Sequence, residues 1–313
     1  MAIQEVQYLW LNGRLVPWHE AAVHPLTHAL HYGSGVFEGM RCYDTERGPA
    51  AFRLTDHLRR LQRSAKLYYL DMPFELEELR RAVFEVITAN GLRSCYVRPL
   101  VYRGYGEMGL VPLAAPVDCL VAAWPWDAYL GGEAATRGIR ARVSSYRCLD
   151  DSSIARTAKA SGHYLNSMLA KIEAVNGGYD EAIVVNAHGH VTEGSAENIF
   201  MVRDGVVATP PLSDGALEGL TRDTVLRLLR LEGIPVEQRS IGRSELIVAD
   251  EVFLTGTAAE VVPVREVDDR EIGDPGPITL LMQARYRDAV FGRDPKLADF
   301  VEFVTPEAAP PSS

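Results

Sequence analysis

Lys159 is the residue whose type and setting most clearly suggest chemistry in this chain. Lysine and arginine together number 32, but only four of these residues are lysines: Lys66, Lys159, Lys171 and Lys296. Lys159 lies in the small, uncharged stretch 157–162. Arginine stays protonated at any protein pH, whereas a desolvated lysine can lose its proton and form a Schiff base with an aldehyde. We therefore weigh two interpretations, a Schiff-base lysine and a solvated lysine near the start of a helix.

Other residues could complete a site for pyridoxal phosphate, an aldehyde cofactor that lysine binds in this way. The cofactor needs a carboxylate at its ring nitrogen, donors for its phosphate and a donor for its ring hydroxyl. Glu193 lies at a predicted strand end among small residues. The other candidates are Tyr164 for the ring hydroxyl and, for the phosphate, Arg59, Leu220, Thr221 and Thr257. Singly these signals are weak, because Glu193 could cap a helix and the threonines could close turns.

The elements that position these residues follow from turn signals and hydrophobic spacing. Residues 7–16 form two apolar runs around Asn12-Gly13, which predicts a β-hairpin. Apolar residues recur every three or four positions from Thr55 and again over 75–90, which predicts two helices. Further strands are predicted at 95–102, 118–124 and 139–146, and further helices at 163–175 and 222–232. The helix at 163–175 is amphipathic, with one apolar face formed by Leu165, Met168, Leu169 and Ile172.

Composition and charge disfavour several classes of partner. The formal net charge is −10 without a block of like charges, which argues against nucleic acid and anionic membrane surfaces. No apolar run reaches the roughly 18–20 residues that a membrane-spanning helix needs. The first residues lack the pattern of a signal peptide, and four widely spaced cysteines predict reduced thiols. We therefore expect a cytoplasmic protein.

A glycine pattern suggests dinucleotide binding, but its neighbours disfavour it. Gly104, Gly106 and Gly109 spell GxGxxG after a predicted strand. That pattern binds a pyrophosphate only where the glycines open a helix, and Pro112 and Pro116 follow instead. The pattern thus disfavours dinucleotide binding. A nicotinamide-dependent dehydrogenase nevertheless remains the best alternative from a different class of enzyme.

Three histidines have a spacing that could suggest a metal site. His24, His28 and His31 lie at i, i+4 and i+7, but Pro25 interrupts the helix that such a site would need. We predict polar pocket or turn roles for them and no metal.

Four runs of residues, in order along the chain, carry a family resemblance. They are 157–166, 193–198, 219–223 and 256–260, and the first half adds 28–41, 96–99 and 125–131. Together they resemble the class IV aminotransferases, the fold-type IV pyridoxal-phosphate enzymes, and most closely the branched-chain amino-acid aminotransferases. The resemblance runs from about residue 7 to about residue 290.

The resemblance implies a mixed α+β fold with two domains, like that of D-amino-acid aminotransferase. We expect a smaller N-terminal α/β domain over 1–127 and a larger C-terminal cofactor-binding domain over 139–304. An interdomain loop would join them at 128–138, and a disordered tail would follow at 305–313.

The resemblance also implies the reaction. Branched-chain L-amino acids (Leu, Ile, Val) would react with 2-oxoglutarate to give branched-chain 2-oxo acids and L-glutamate. Lys159 would hold pyridoxal 5'-phosphate as a Schiff base and then carry the proton between substrate and cofactor. Glu193 would be the partner of the pyridine nitrogen.

Substrate-binding residues follow from the same resemblance. The α-carboxylate would be held by the Tyr96 hydroxyl and by main-chain donors at Thr257 and Ala258. The side-chain pocket would consist of Tyr32, Phe37, Tyr129 and Tyr164. Met108 and Leu110 would reach in from a neighbouring subunit, which makes a homodimer the smallest competent unit. We further hypothesise that Arg98 meets the distal carboxylate when glutamate binds, while aromatic groups contact branched side chains.

Other activities of the same fold remain open at this point. They are those of D-amino-acid aminotransferases, (R)-selective amine transaminases and aminodeoxychorismate lyase. The Tyr96–Pro99 strand and the run Phe37–Arg41 favour the branched-chain group. A pocket's preference can nevertheless change with few substitutions.

Overall fold

The computed structural model describes residues 3–126 and 132–304. These residues form two compact units: 3–126 together with 289–304, and 132–288. The first unit therefore contains the last described residues as well as the first.

The first unit is built around an eight-stranded sheet. The elements up to residue 126 are β1 (Tyr8–Leu11), β2 (Arg14–Pro17), α1 (His28–Tyr32), β3 (Gly35–Phe37), β4 (Met40–Thr45), β5 (Gly48–Phe52), α2 (Leu54–Leu67), α3 (Leu76–Ala89), β6 (Cys95–Arg103) and β7 (Val117–Pro125). The hairpin predicted at Asn12-Gly13 is confirmed: both residues have positive φ, as the tight turn between β1 and β2 requires. The two predicted helices are present as α2 and α3, and Glu75 and Glu78 cap the start of α3.

The longest strand pair of the sheet carries two of the predicted site residues. β6 and β7 are antiparallel over nine residue pairs, from Cys95↔Pro125 to Arg103↔Val117. Because side chains alternate along a strand, Tyr96 and Arg98 project from one face of β6. β3 pairs with the other edge of β6 and brings Phe37 opposite Leu100.

The second unit is built around a ten-stranded sheet. Its elements, followed by the last strand of the chain, are α4 (Gly132–Arg137), β8 (Ile139–Val143), α5 (Tyr164–Asn176), β9 (Glu181–Val185), β10 (His190–Gly194), β11 (Asn198–Arg203), β12 (Val206–Thr209), α6 (Leu220–Leu231), β13 (Val236–Gln238), β14 (Ile241–Gly242), α7 (Arg243–Ile247), β15 (Glu251–Gly256), β16 (Glu260–Val267), β17 (Arg270–Glu271), α8 (Pro277–Val290) and β18 (Val301–Phe303). Branched and small apolar side chains fill its core.

This second sheet closes on itself. Its strand order runs β11-β15-β16-β8-β9-β10, and β10 pairs again with β11 through Glu193↔Asn198. The ring therefore closes at the run 193–198, one of the four runs that carry the family resemblance. β15 pairs with β11 with Thr255 opposite Asn198, so the run 256–260 begins beside the same point.

Helix α5 faces the core with its small residues and not with its large ones. Ala170 and Ala174 are buried against Ala182 and Val184 of β9. The predicted apolar face is exposed, and with Val175 it forms a stripe of five large side chains. We call Leu165, Met168, Leu169, Ile172 and Val175 the α5 stripe.

The structure differs from three sequence expectations. Residues 132–137 of the predicted interdomain loop form a helix, α4, which packs on β16. β18 was assigned with the C-terminal domain, but it pairs with β5 in the sheet of the first unit. The strand predicted to reach 146 ends at Val143.

The glycine pattern at 104–109 lies in an irregular connection between β6 and β7, and no helix follows it before β7. The connection therefore lacks the helix start that a dinucleotide pyrophosphate requires. Among the residues described, no helix has both the length and the apolar character to cross a membrane.

Candidate active site

Lys159 lies in the segment that leads from β8 into α5. Its neighbours Ala158 and Ala160 are buried, which fixes the backbone on either side. The Nζ of Lys159 donates a hydrogen bond of 2.5 Å to the hydroxyl of Tyr164, the first residue of α5. A short 3₁₀ turn over Ser161–His163 fills the interval between them. The amine and the phenol that the sequence singled out are therefore in direct contact.

Glu193 lies near the end of β10, where the sheet closes, and its carboxylate is surrounded by donors. The Oε2 atom accepts hydrogen bonds from the Leu217 N–H at 2.9 Å and from the Asn198 Nδ2 at 3.4 Å. The Arg156 guanidinium donates to Oε1. Three donors therefore stabilise a buried negative charge at this position.

Arg156 is a site residue that the sequence analysis missed. Its Nε also donates to the Cys148 Sγ at 3.2 Å. Burial alone would lower the pKa of Arg156, but the attraction of Glu193 outweighs it and raises that pKa. A signal was present, because Arg156 lies only three residues before Lys159, directly before the run 157–166.

Lys159 and Glu193 line one cleft. The cleft is lined by Arg156, Ala158, Lys159, His163, Tyr164, Ser167, Glu193, Ser195, Ala196, Glu197, Asn198 and Leu217. Burial and the nearby Arg156 lower the pKa of His163 to about 4, so the imidazole is neutral at neutral pH.

The predicted phosphate-binding residues lie at a helix start and at a turn close to the cleft. Leu220 and Thr221 open α6, whose first turn has no side-chain cap. The helix start is held against β11, since a Cβ at Gly219 would lie 1.8 Å from the Asn198 Oδ1. Thr257 and Ala258 form the turn between β15 and β16. The N–H groups at a helix start favour an anion.

The structure does not support Arg59 as a phosphate ligand. Its side chain is 59% exposed and pairs with Asp56 on the same helix, with 3.7 Å between the Nη1 and Oδ1 atoms. The next residue, Arg60, is buried and binds Glu38 with two nitrogens, Nε at 2.6 Å and Nη2 at 2.9 Å. The buried face of α2 contains His57, Leu61 and Ser64, which lie within four positions of Arg60.

Three predicted substrate residues meet in the first unit. The Arg98 guanidinium lies over the Phe37 ring, 4.6 Å from its centroid, and its Nη2 donates to the Tyr96 hydroxyl at 3.3 Å. The Arg98 Nε is buried without an acceptor among the described residues. A buried, unpaired guanidinium N–H is a suitable donor for a carboxylate ligand.

The remaining predicted pocket residues are exposed or undescribed. Tyr32 is 46% exposed and stacks on His28, with 4.4 Å between the ring centroids. Met108 is 49% and Leu110 is 87% exposed in the connection between β6 and β7. Tyr129 lies outside the described residues.

Each of the three histidines contacts backbone or a hydroxyl. His28 bonds the Ser34 Oγ at 2.7 Å and the Gly109 carbonyl at 2.8 Å. His31 bonds the Pro25 carbonyl at 2.8 Å, and the His24 Nδ1 accepts from the Leu26 N–H at 3.1 Å. These contacts are those of the polar and turn roles predicted for them.

Comparison with known proteins defines the class to which this fold and cleft belong. The sequence matches the family described as amino-transferase class IV over residues 35–267. The chain belongs to this family, and the resemblance inferred from the four runs is confirmed.

Individual relatives are similar over nearly the whole chain. The branched-chain-amino-acid aminotransferase of Escherichia coli (strain K12) is 45% identical over 295 residues, which are 93% of this chain and 94% of the relative. A crystal structure of the Escherichia coli enzyme has a TM-score of 0.94, with 42% identity over 96% of this chain and 100% of that chain. The T.th. branched-chain amino acid aminotransferase with pyridoxamine 5'-phosphate has a TM-score of 0.93, with 45% identity over 96% and 99%. The mixed α+β fold predicted from the resemblance is thereby confirmed.

Proposed function

We propose that this chain is a pyridoxal-phosphate-dependent transaminase that exchanges the amino group of branched-chain L-amino acids with 2-oxoglutarate. The observation that carries the proposal is the cleft in which the Lys159 amine, the Tyr164 phenol and the Glu193 carboxylate come together. Each of these groups matches one demand of the cofactor, and the N-terminal end of α6 suits its phosphate. The T.th. relative with pyridoxamine 5'-phosphate supports the same cofactor.

The residues of the chain would divide the chemistry as follows. When bound, pyridoxal phosphate supplies an aldehyde carbon and a ring that withdraws electrons from the substrate. Lys159 would hold the cofactor through Nζ and, once freed by the substrate amine, would carry the proton between the substrate Cα and the cofactor. Tyr164 donates to the ring hydroxyl, and Glu193 places a negative charge at the ring nitrogen. Leu220, Thr221 and Thr257 would bind the phosphate.

The substrate side must accept an apolar side chain and a carboxylate in turn. We infer that Phe37 contacts the branched side chain and that Arg98 binds the distal carboxylate of glutamate. The stacked guanidinium and its unpaired Nε support this double use. The Tyr96 hydroxyl and main-chain donors at Thr257 and Ala258 would hold the α-carboxylate.

We propose a homodimer as the working unit, located in the cytoplasm. The α5 stripe exposes five large apolar side chains on one helix face, which favours burial against a second copy. The exposed Met108 and Leu110 would reach the neighbouring subunit's site. The free cysteines Cys42, Cys95, Cys119 and Cys148 suit a reducing compartment.

Substrate profiling tests the proposed function. The purified enzyme is assayed against 2-oxoglutarate with L-leucine, L-isoleucine and L-valine, and separately with D-alanine and (R)-1-phenylethylamine. We expect the three L-amino acids to have the highest kcat/KM. A preference for D-alanine or the amine would assign the chain to another activity of the same family.

A further inference from the structure

Glu197 is a buried carboxyl group to which the proposed mechanism gives no task. It lies in the turn between β10 and β11, is 3% exposed and lines the cleft. Its Oε2 accepts a hydrogen bond from the Ala196 N–H at 3.2 Å. A buried carboxylate without a strong partner is costly, so its charge state needs an explanation.

The charges around Glu197 leave it without a counter-ion. Glu193 is paired with Arg156, and Glu181 is paired with Lys171, whose Nζ lies 2.5 Å from its Oε2. Among the described residues no lysine, arginine or histidine forms an ion pair with Glu197. The charged groups that act on it are Glu193 from β10, Glu181 from β9 and Lys171 from α5.

The side chain of Glu197 is also tightly packed between two glycines. A Cβ at Gly194 would lie 3.0 Å from its Oε2, and a Cβ at Gly256 would lie 3.2 Å from its Cγ. Gly194 follows Glu193, and Gly256 precedes Thr257. The Glu197 side chain therefore sets the spacing between the turn that carries the cleft carboxylate and the turn that carries the predicted phosphate ligand.

We propose that Glu197 is a positioning residue that keeps its proton at neutral pH, so that it spaces these two turns without adding a second negative charge beside Glu193. The acid would act through Glu193 and Thr257 and would not itself touch the substrate. The proton state of Glu197 is a property of the chain and does not rest on the proposed function. The effect of Glu197 on turnover does rest on the proposed function.

The electrostatic surroundings agree with the geometry. The pKa of Glu197 is raised from its ordinary value of 4.5 to about 8, mainly by burial. The negative charge of Glu181 contributes to this rise and outweighs the opposing effect of Lys171. The folded chain thus keeps a proton that the unfolded chain releases above pH 4.5. Between these two values the stability of the fold must fall as the pH rises.

Thermal unfolding from about pH 5 to about pH 9 tests whether the stability falls as the pH rises. The wild type is compared with Glu197→Gln, which mimics the neutral acid, and with Glu271→Gln at an exposed site of the same unit. We expect the unfolding midpoint of the wild type to fall with rising pH relative to Glu197→Gln, and Glu271→Gln to follow the wild type. Parallel curves for the wild type and Glu197→Gln would overturn the proposal.

Infrared spectroscopy detects the proton itself, because a carboxylic acid has a carbonyl band that a carboxylate lacks. We expect a band in the wild type at neutral pH that is absent from Glu197→Gln and fades above about pH 8. In Glu181→Gln the loss of a neighbouring anion should move this fading to lower pH. If Glu197→Gln does not fold, the infrared bands of the wild type and of Glu181→Gln still test whether Glu197 keeps its proton. The proposal is contradicted if the wild type shows no such band, or if the band fades at the same pH in the wild type and in Glu181→Gln.

The positioning role has its own readout. Glu197→Ala removes the spacer, whereas Glu197→Gln keeps it, so kcat should be roughly tenfold to a hundredfold lower in the alanine variant. Equal kcat values would refute the positioning role. If the wild type does not transaminate at all, the proposed function fails while the infrared result on Glu197 stands.

Discussion

At the level of single residues, the pairing of Arg156 with Glu193 governs the charge of the cleft. Both side chains are largely buried, with 14% and 10% exposure. Removing one partner of a buried ion pair leaves an uncompensated charge, which costs roughly 3–5 kcal/mol. The pair therefore stabilises the fold as well as placing the carboxylate.

Arg156→Met should accordingly lower the free energy of unfolding by roughly 3–5 kcal/mol, measured by urea unfolding of the cofactor-free protein. Arg227→Met is the matched control, because Arg227 forms an exposed pair with Asp223 on α6. Exposed pairs of this kind contribute about 0.3–0.5 kcal/mol. Equal effects of the two substitutions would show that Arg156 does not neutralise Glu193.

Arg98 should distinguish the two half-reactions. Losing a hydrogen bond to a charged group costs about 1.5–3 kcal/mol, which is a factor of about ten to a hundred in kcat/KM. We therefore expect Arg98→Ala to lose that factor with L-glutamate and much less with L-leucine, measured as separate half-reactions. Arg98→Lys keeps the positive charge but lacks the planar guanidinium. Its kcat/KM with L-glutamate should therefore lie between that of the wild type and that of Arg98→Ala. Equal losses with both amino acids would exclude a special role for Arg98.

The sequence identified three of the twelve residues that line the cleft, and its failures have physical causes. Lys159, Tyr164 and Glu193 were singled out because signals that are weak one by one became specific in the runs that carry the family resemblance. Arg59 was predicted as a phosphate ligand, although helical phase places Arg60 and not Arg59 on the buried face of α2, three positions after His57 and four before Ser64. Glu197 gave no signal, because the burial of a carboxyl group depends on contacts distant in sequence.

At the level of elements, a buried cluster joins α2 to the connection between β3 and β4. Glu38 is fully buried and accepts hydrogen bonds from the Arg60 guanidinium and, at 2.6 Å, from the His57 ring. Burial would raise the pKa of Glu38, but the charge of Arg60 and the hydrogen bonds from Arg60 and His57 outweigh it and hold that pKa well below its usual range. Burial lowers the pKa of His57 itself, so its ring acts at neutral pH as a neutral donor. The carboxylate thus stabilises the fold above its ordinary pKa of 4.5, and this stability is lost as the pH falls.

Glu38→Gln should therefore destabilise the protein strongly at neutral pH, by roughly 3–5 kcal/mol, because Arg60 remains buried without its anion. The difference from the wild type should shrink as the pH falls below 4.5, where the wild-type carboxylate loses its advantage. Chemical unfolding at a series of pH values measures both effects. A difference that is independent of pH would contradict this description of the cluster.

The α5 stripe predicts an effect on assembly. Leu165 and Leu169 lie one turn apart on its exposed face. Substituting both with lysine should dissociate the dimer without unfolding the chain, as measured by light scattering and circular dichroism. Leu67→Lys on α2 is the control, because Leu67 is also exposed but lies outside the stripe. An unchanged mass of the double variant would rule out the stripe as the subunit contact.

The sequence predicted correctly those elements whose signals lie within a few neighbouring residues. The Asn12-Gly13 turn, α2, α3, α5 and α6 follow from turn residues and spacing within a few positions. The pairing of β18 with β5 could not be predicted in this way, since it joins residues almost 250 positions apart along the chain. The amphipathic pattern of α5 located the helix but did not show whether its large residues face the core or a partner.

At the level of the whole molecule, closure of the second sheet brings the distant runs together. The pairing of Glu193 with Asn198 and of Asn198 with Thr255 places the ends of β10, β11 and β15 side by side. The Leu217 N–H then links the segment before α6 to the Glu193 carboxylate. No spacing in the sequence reveals such non-local pairings. The family resemblance supplied the fold because it carries this topology implicitly.

The most direct test of the account is the absorption spectrum of the purified protein with added pyridoxal phosphate, before and after L-leucine. We predict a visible band that survives gel filtration and that L-leucine abolishes. Borohydride should also abolish the band and should fix the cofactor covalently to the peptide that contains Lys159. Lys159→Ala should retain the fold by circular dichroism but lose the borohydride-fixed label and the transamination. A protein that takes up no cofactor, or one labelled at a lysine other than Lys159, would contradict the central claim.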